Sequence, residues 1–145
     1  MNALFNVEAR NARGFTLLEL LVVLVILGLL AGLVAPRVMK HVGESKTKTA
    51  RLQIEELGTA LDVYRLELGR YPSNDDGLVA LVQPPAGVDA WDGPYLRKRV
   101  VPKDPWGNDY RYRAPGEHGP YDLYSLGADN AEGGESENGD VLGWR

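Results

Sequence analysis

One carboxylate in this chain stands where a membrane would punish it: Glu19, in the run Phe15-Thr16-Leu17-Leu18-Glu19 that opens an apolar stretch reaching Ala35. An unpaired charge at bilayer depth is expensive, so an intramembrane acid asks for a named partner. The segment itself offers none. A second concentration of chemistry lies near the other end, where the stretch from Leu126 to Asp140 crowds Asp129, Asn130, Glu132, Glu135, Ser136, Glu137 and Asp140 onto glycine-rich backbone. Hard oxygen donors on a chain that bends easily suit calcium, which takes about six to eight oxygens, carbonyls included, in variable geometry. The spacing does not follow the EF-hand pattern, and on the residues alone a solvated acidic loop accounts for the stretch equally well.

Other chemistries are poorly served. Cysteine is absent, which removes a disulfide framework, a thiolate metal site and a cysteine nucleophile together. The two histidines, His41 and His118, form no HExxH-like pair, and no glycine-rich phosphate loop precedes a convincing helix. A membrane-anchored enzyme is therefore disfavoured, and no catalytic residue is expected. Sixteen basic against twenty acidic residues make a mildly acidic chain, without the basic face that announces a nucleic-acid binder.

The elements that must position these groups follow from the pattern. A helix over the apolar residues 15–35 is roughly 31 Å long at about 1.5 Å per residue, the thickness of the hydrocarbon core. In lipid the backbone must satisfy itself, so helix is the expected form despite the β-branched content. Gly28 and Gly32 make a small-xxx-small pair that permits close helix approach. A cleaved secretory leader would have a shorter apolar run and a small-x-small site, where this chain has Pro36-Arg37-Val38. Arg10 and Arg13 precede the span, but Arg37, Lys40, Lys46, Lys48 and Arg51 follow it, so the charge count does not set its orientation.

Beyond the span, Ile54, Leu57, Leu61, Tyr64 and Leu68 recur at three- and four-residue intervals with charges between them, an amphipathic helix that continues the first, with a kink invited at Pro36. The helix is expected to stop near Gly69. A short helix capped by Asn74 or Asp75, with Leu78, Leu81 and Val82 as its apolar side, runs before Pro84-Pro85. Strands are expected over Tyr110–Arg113 and Tyr121–Leu126, with Asp104-Pro105-Trp106-Gly107 fixing a loop against the core. The fold class is α+β: a long N-terminal helix packed on a small antiparallel sheet, with residues 37–145 the size of one ordinary domain.

Arg13-Gly14-Phe15-Thr16-Leu17-Leu18-Glu19 resembles the class III signal of the type IV pilin-like family. Leu61-Asp62-Val63-Tyr64-Arg65, Gly69-Arg70-Tyr71-Pro72, Asp104 to Tyr110, Pro115-Gly116-Glu117-His118-Gly119 and Ser125-Leu126-Gly127-Ala128-Asp129 extend the likeness, over nearly the whole chain, to the major pseudopilins of type II secretion systems. The resemblance implies a pilin-like fold in three parts: a cytoplasmic leader, residues 1–14, removed by a prepilin peptidase; a transmembrane and fibre-core helix, 15–36; and a periplasmic globular domain, 37–145. It implies cleavage between Gly14 and Phe15, and N-methylation of Phe15. It also gives Glu19 its missing partner, the freed ammonium of Phe15 on a neighbouring subunit, so that replacing Glu19 is expected to harm assembly more than folding or insertion.

The resemblance further implies calcium in the C-terminal loop, with Asp129 and Asp140 contributing side chains and Leu126 a carbonyl. Glu135 and Ser136 are further ligand positions, in a stretch whose length varies among relatives. A single-pass protein of the bacterial inner membrane is implied, polymerising with itself into a periplasmic fibre that helps export folded proteins across the outer membrane. The implied partners are minor pseudopilins, the prepilin peptidase, and an inner-membrane assembly platform with its ATPase. A minor pseudopilin or a type IV pilus subunit is the alternative, and the absence of cysteine departs from many true pilins.

Overall fold

The computed structural model describes residues 14–145. Residues 1–13 of the proposed leader lie outside the described residues. The chain divides into two compact units, one ending at Met39 and the other running from Lys40 to Arg145.

One helix, α1 (Leu17–Leu68), covers both the apolar run and the amphipathic stripe, and its assignment continues through Pro36. It begins two residues after Phe15. In the first unit the large apolar side chains from Phe15 to Val34 are all exposed, 46% to 86%. An apolar surface of this extent suits a solvent of lipid or other helices.

In the second unit the stripe does what its period predicts. Ile54, Leu57, Leu61 and Tyr64 are buried, together with Ala50 and Ala60, while Leu68 is partly buried. Each full burial of such a side chain stabilises by about 1.5–3 kcal/mol. The partners of this stripe are Leu78, Leu81, Leu96, Tyr110, Leu123 and Val141. At the helix end Gly69 turns left-handed (φ 73°) and its N–H reaches the Arg65 carbonyl at 2.8 Å.

A short 3-10 helix, Gly77–Leu81, buries Leu78 and Leu81 and ends before Val82, so the diproline is not its stop. Its N-cap is Asp76, without a side-chain cap bond, rather than Asn74 or Asp75. Ser73 Oγ accepts the Asp76 N–H at 3.1 Å, and Asn74 accepts the distant Ala114 N–H at 2.8 Å instead. Asn74 thus serves tertiary structure, which sequence distance conceals.

The sheet is antiparallel with order β1-β2-β3: β1 (Arg111–Arg113), β2 (Asp122–Ser125) and β3 (Val141–Leu142). The first two strands fall where the pattern puts them. The third is two residues long and follows a polar loop, too short to show a period of two.

Candidate functional site

The start of α1 is built around Glu19. Its Oε2 accepts the Thr16 backbone N–H at 2.9 Å and the Thr16 hydroxyl at 3.0 Å, while Thr16 Oγ1 accepts the Glu19 N–H at 3.2 Å. Thr16-x-x-Glu19 is a capping box, two otherwise orphaned N–H groups satisfied reciprocally. The segment still offers Glu19 no charged partner; Thr16 gives the carboxylate two hydrogen-bond donors instead, an arrangement that the T-x-x-E spacing alone announces. The cap leaves the carboxylate exposed beside an exposed Phe15, and Gly14 lies in the exposed segment just before it.

The acidic loop is closed by β3. In the β2–β3 register Tyr124 pairs with Leu142 and Ser125 with Val141, so one further step brings Leu126 opposite Asp140. Leu126 is buried and Asp140 partly buried. Asp140 Oδ2 accepts the Gly133 N–H at 3.0 Å, whereas its Oδ1 is buried with no hydrogen-bond partner among the described residues. A buried anionic oxygen without a donor is costly, and a cation is one way to satisfy it. Asp129 is exposed, its Oδ1 accepting the Ala131 N–H at 3.2 Å, and Glu135 and Ser136 are exposed too. Among the described residues no three His, Cys, Asp or Glu side chains converge. The orphaned Asp140 oxygen fits one ligand of a hard cation, while the described residues form no preformed carboxylate cage around it.

The loop is tied to the body through the segment expected to fix a loop against the core. Asp104 is buried; its Oδ1 accepts the Trp106 and Asn108 N–H groups at 3.1 and 2.8 Å, and its Oδ2 accepts the Ser125 hydroxyl at 2.6 Å. Asn108 Nδ2 then donates to the Gly127 carbonyl at 3.0 Å, and the Gly127 N–H donates to Ser125 Oγ at 3.1 Å. Across the loop, the Ala128 N–H donates to the Glu137 carbonyl at 2.8 Å and Trp106 Nε1 donates to Glu137 Oε2 at 3.3 Å. Glu137 also fills the space that Gly43 leaves on α1, where a Cβ would lie 2.5 Å from Glu137 Cγ.

At the other end of β2, Asp122 accepts the N–H groups of Glu117 and His118 at 2.8 and 3.1 Å, with His118 Nδ1 at 3.3 Å. Burial pushes its carboxyl up, but these hydrogen bonds outweigh burial and hold it below the ordinary aspartate range. His118 stacks on Trp144, ring centroids 4.2 Å apart, which fastens the segment after β3. Burial raises the phenol of Tyr95 to about 12, helped by its hydrogen bond to Glu67. These are structural groups, each already partnered.

Two family models match: type II secretion system protein G over residues 37–144, and the prokaryotic N-terminal methylation motif over residues 9–35. Among curated relatives, the type II secretion system core protein G of Pseudomonas aeruginosa is 49% identical over 142 residues, 94% of this chain and 98% of that protein. The protein of the same name from Vibrio cholerae is 44% identical over 140 residues, 94% of each chain. That of Escherichia coli is 43% identical over 136 residues, 91% of this chain and 90% of its own. Among solved structures, the major pseudopilin of the type 2 secretion system of enterohaemorrhagic Escherichia coli matches with a TM-score of 0.60 at 32% identity, covering 73% of this chain and 92% of that one.

Proposed function

The chain belongs to the type II secretion protein G family, the major pseudopilins, and from that premise we propose that it works as a processed, membrane-held polymer subunit. The function is structural: a major pseudopilin is a building block, and no step of chemistry is assigned to these residues. The prepilin peptidase cuts between Gly14 and Phe15 and Phe15 is methylated; the matched motif, named for N-terminal methylation, supports this reading. The span sits in the inner membrane with residues 37–145 in the periplasm, and subunits polymerise there into a fibre that helps move folded proteins outward. Minor pseudopilins and an ATPase-driven platform are its partners in that assembly.

The observation that carries this reading is the start of α1. Glu19 is folded back as a cap yet exposed, next to the residue that becomes the new N-terminus. Opposite charges attract strongly in a low-dielectric fibre core, so the Phe15 ammonium of one subunit and Glu19 of the next are the pair that drives addition. Calcium belongs to the same reading, held by Asp140, Asp129 and the Leu126 carbonyl, with Glu135 and Ser136 at the loop's outer turn. The ion supplies positive charge that offsets repulsion among the loop's acids and orders its backbone.

Glu19→Ala and Glu19→Gln tested in secreting cells separate the two roles of this side chain. Gln keeps capping capacity, since the third helical position accepts either residue, but has no charge. Both variants are expected to be inserted and processed, and both to lose fibre and secretion. Normal fibre from Glu19→Gln would reduce Glu19 to a helix cap.

A further inference from the structure

The inward stripe of α1 does not end where its large side chains end. Before Ile54 it continues as Gly43, Lys46, Thr47 and Ala50, at the same three- and four-residue spacing. Gly43 and Ala50 are buried and Lys46 and Thr47 half-buried, so cover persists over turns that offer almost nothing apolar to bury. These turns are weak as helix. Glycine is among the poorest residues for a helix interior. The Thr47 hydroxyl donates to the Gly43 carbonyl at 3.2 Å, a side-chain bond that bends a helix more readily than it strengthens one. A segment of this kind opens locally unless something outside it holds it closed.

What reaches it is the acidic loop. Ser136 lines, with Gly43, Glu44, Thr47, Lys48 and Arg51, a groove of about 400 Å³. Beside it Glu137 is in contact with the helix: a Cβ on Gly43 would lie 2.5 Å from Glu137 Cγ, 2.6 Å from Oε1 and 2.8 Å from Cδ. The same side chain is held from behind, since Oε2 accepts the Trp106 Nε1–H at 3.3 Å, and its carbonyl accepts the Ala128 N–H at 2.8 Å. Ser136, the residue before it, has φ 59°, a left-handed backbone that a residue other than glycine adopts at a cost. The loop thus carries strain at the residue that delivers Glu137 to the helix.

We propose that Glu137 is a strap: its side chain, seated on Gly43 and tied to Trp106, holds residues 43–50 of α1 in helical form, so that helical order in this stretch depends on the loop. Glycine at position 43 is then the seat of the strap, and the missing Cβ is the room that Glu137 occupies. A merely solvated acid is the other reading of Glu137. Against it, the side chain is half-buried and the glycine beside it buried. The seat consists of this chain's own side chains with no ion in it, so the strap goes beyond the calcium reading, and its failure would leave that reading standing.

Hydrogen exchange followed by NMR on the full-length chain in detergent micelles tests the strap, with Glu137→Ala, Glu137→Gln and Gly43→Ala beside the parent. In Glu137→Ala the amides of residues 44–50 are expected to exchange about tenfold faster or more, with a much smaller change over residues 54–64. Glu137→Gln keeps the length of the side chain and an oxygen for the Trp106 indole, and is expected to exchange like the parent. Gly43→Ala separates the strap from helix propensity. The atoms in the way belong to the end of a flexible side chain, so the variant folds and Glu137 moves aside. Propensity alone would leave the loop untouched. Displacement of the strap frees the Ala128 N–H and the Trp106 Nε1–H, both expected to exchange at least about fivefold faster. Unchanged rates over residues 44–50 in Glu137→Ala would overturn the strap, and so would equal acceleration over residues 54–64, because the loss would then be global. A Gly43→Ala loop that exchanges like the parent's would overturn it as well.

Discussion

At the scale of the residue, Asp104 decides more than any acid in the loop it supports. A buried carboxylate that accepts two backbone N–H groups and a buried hydroxyl is satisfied without a cation, and its loss strands three donors at once. Unpaired buried polar groups cost about 1–3 kcal/mol each, so Asp104→Ala is expected to lower stability by roughly 3 kcal/mol or more. Thermal or denaturant unfolding of the full chain checks this, and a loss below about 1 kcal/mol would mean that water replaces the carboxylate with ease. Asp104→Asn should fall between, because the amide oxygen can keep one set of bonds while the other position becomes a donor. Glu19 is the complementary case: one oxygen is turned to Thr16 and the side chain is still exposed, which leaves its charge free for the neighbouring subunit proposed above.

The elements show where the sequence was readable and where it was not. α1 was legible because its two signals are long: an unbroken apolar run, then Ile54, Leu57, Leu61 and Tyr64 at helical spacing, each of which is buried. The strands β1 and β2 were legible from their aromatic and branched residues. What stayed hidden was short or distant: the two residues of β3, the Asn74 contact with Ala114 forty positions away, and the links from Asp104 and Asn108 to Ser125 and Gly127. These depend on tertiary closure, which no local period encodes. β3 matters most, since it is what brings Asp140 to Leu126. The turn that starts the loop is accordingly intolerant. Gly127 has φ 69°, and a Cβ there would lie 2.7 Å from the Glu137 carbonyl oxygen and 2.9 Å from that of Gly139. The left-handed conformation alone costs an L residue about 1–2 kcal/mol, and backbone must move besides. Gly127→Ala is expected to destabilise by at least about 2 kcal/mol, lowering Tm by about 8 °C or more for a domain of this size. An unchanged Tm would show that the loop's path over β2 is not fixed by this turn.

For the whole molecule, the two units divide the labour: one exposes apolar side chains along its length, the other encloses its own core and carries the acidic loop at the end of its sheet. The loop's ties to Trp106, Asn108 and Gly43 make its order a property of the whole second unit, so a ligand in the loop should be read as global stability. Calcium at about one hundred times its Kd would stabilise a native-only site by about 2.7 kcal/mol, roughly 10 °C or more in Tm. The measurement is thermal unfolding of the detergent-solubilised full chain with and without calcium, against magnesium as the control for bulk charge. Asp140→Asn is the decisive variant, because the amide can still accept the Gly133 N–H while the buried second position no longer carries an anionic oxygen. It is expected to lose most of the calcium response while keeping most of the metal-free stability. Asp129→Ala, at an exposed position, should lose less of the calcium response than Asp140→Asn. Equal melting of the parent with calcium and without it would leave the acidic stretch a solvated loop, and the stability of the second unit would then rest on the Asp104 network and the α1 core.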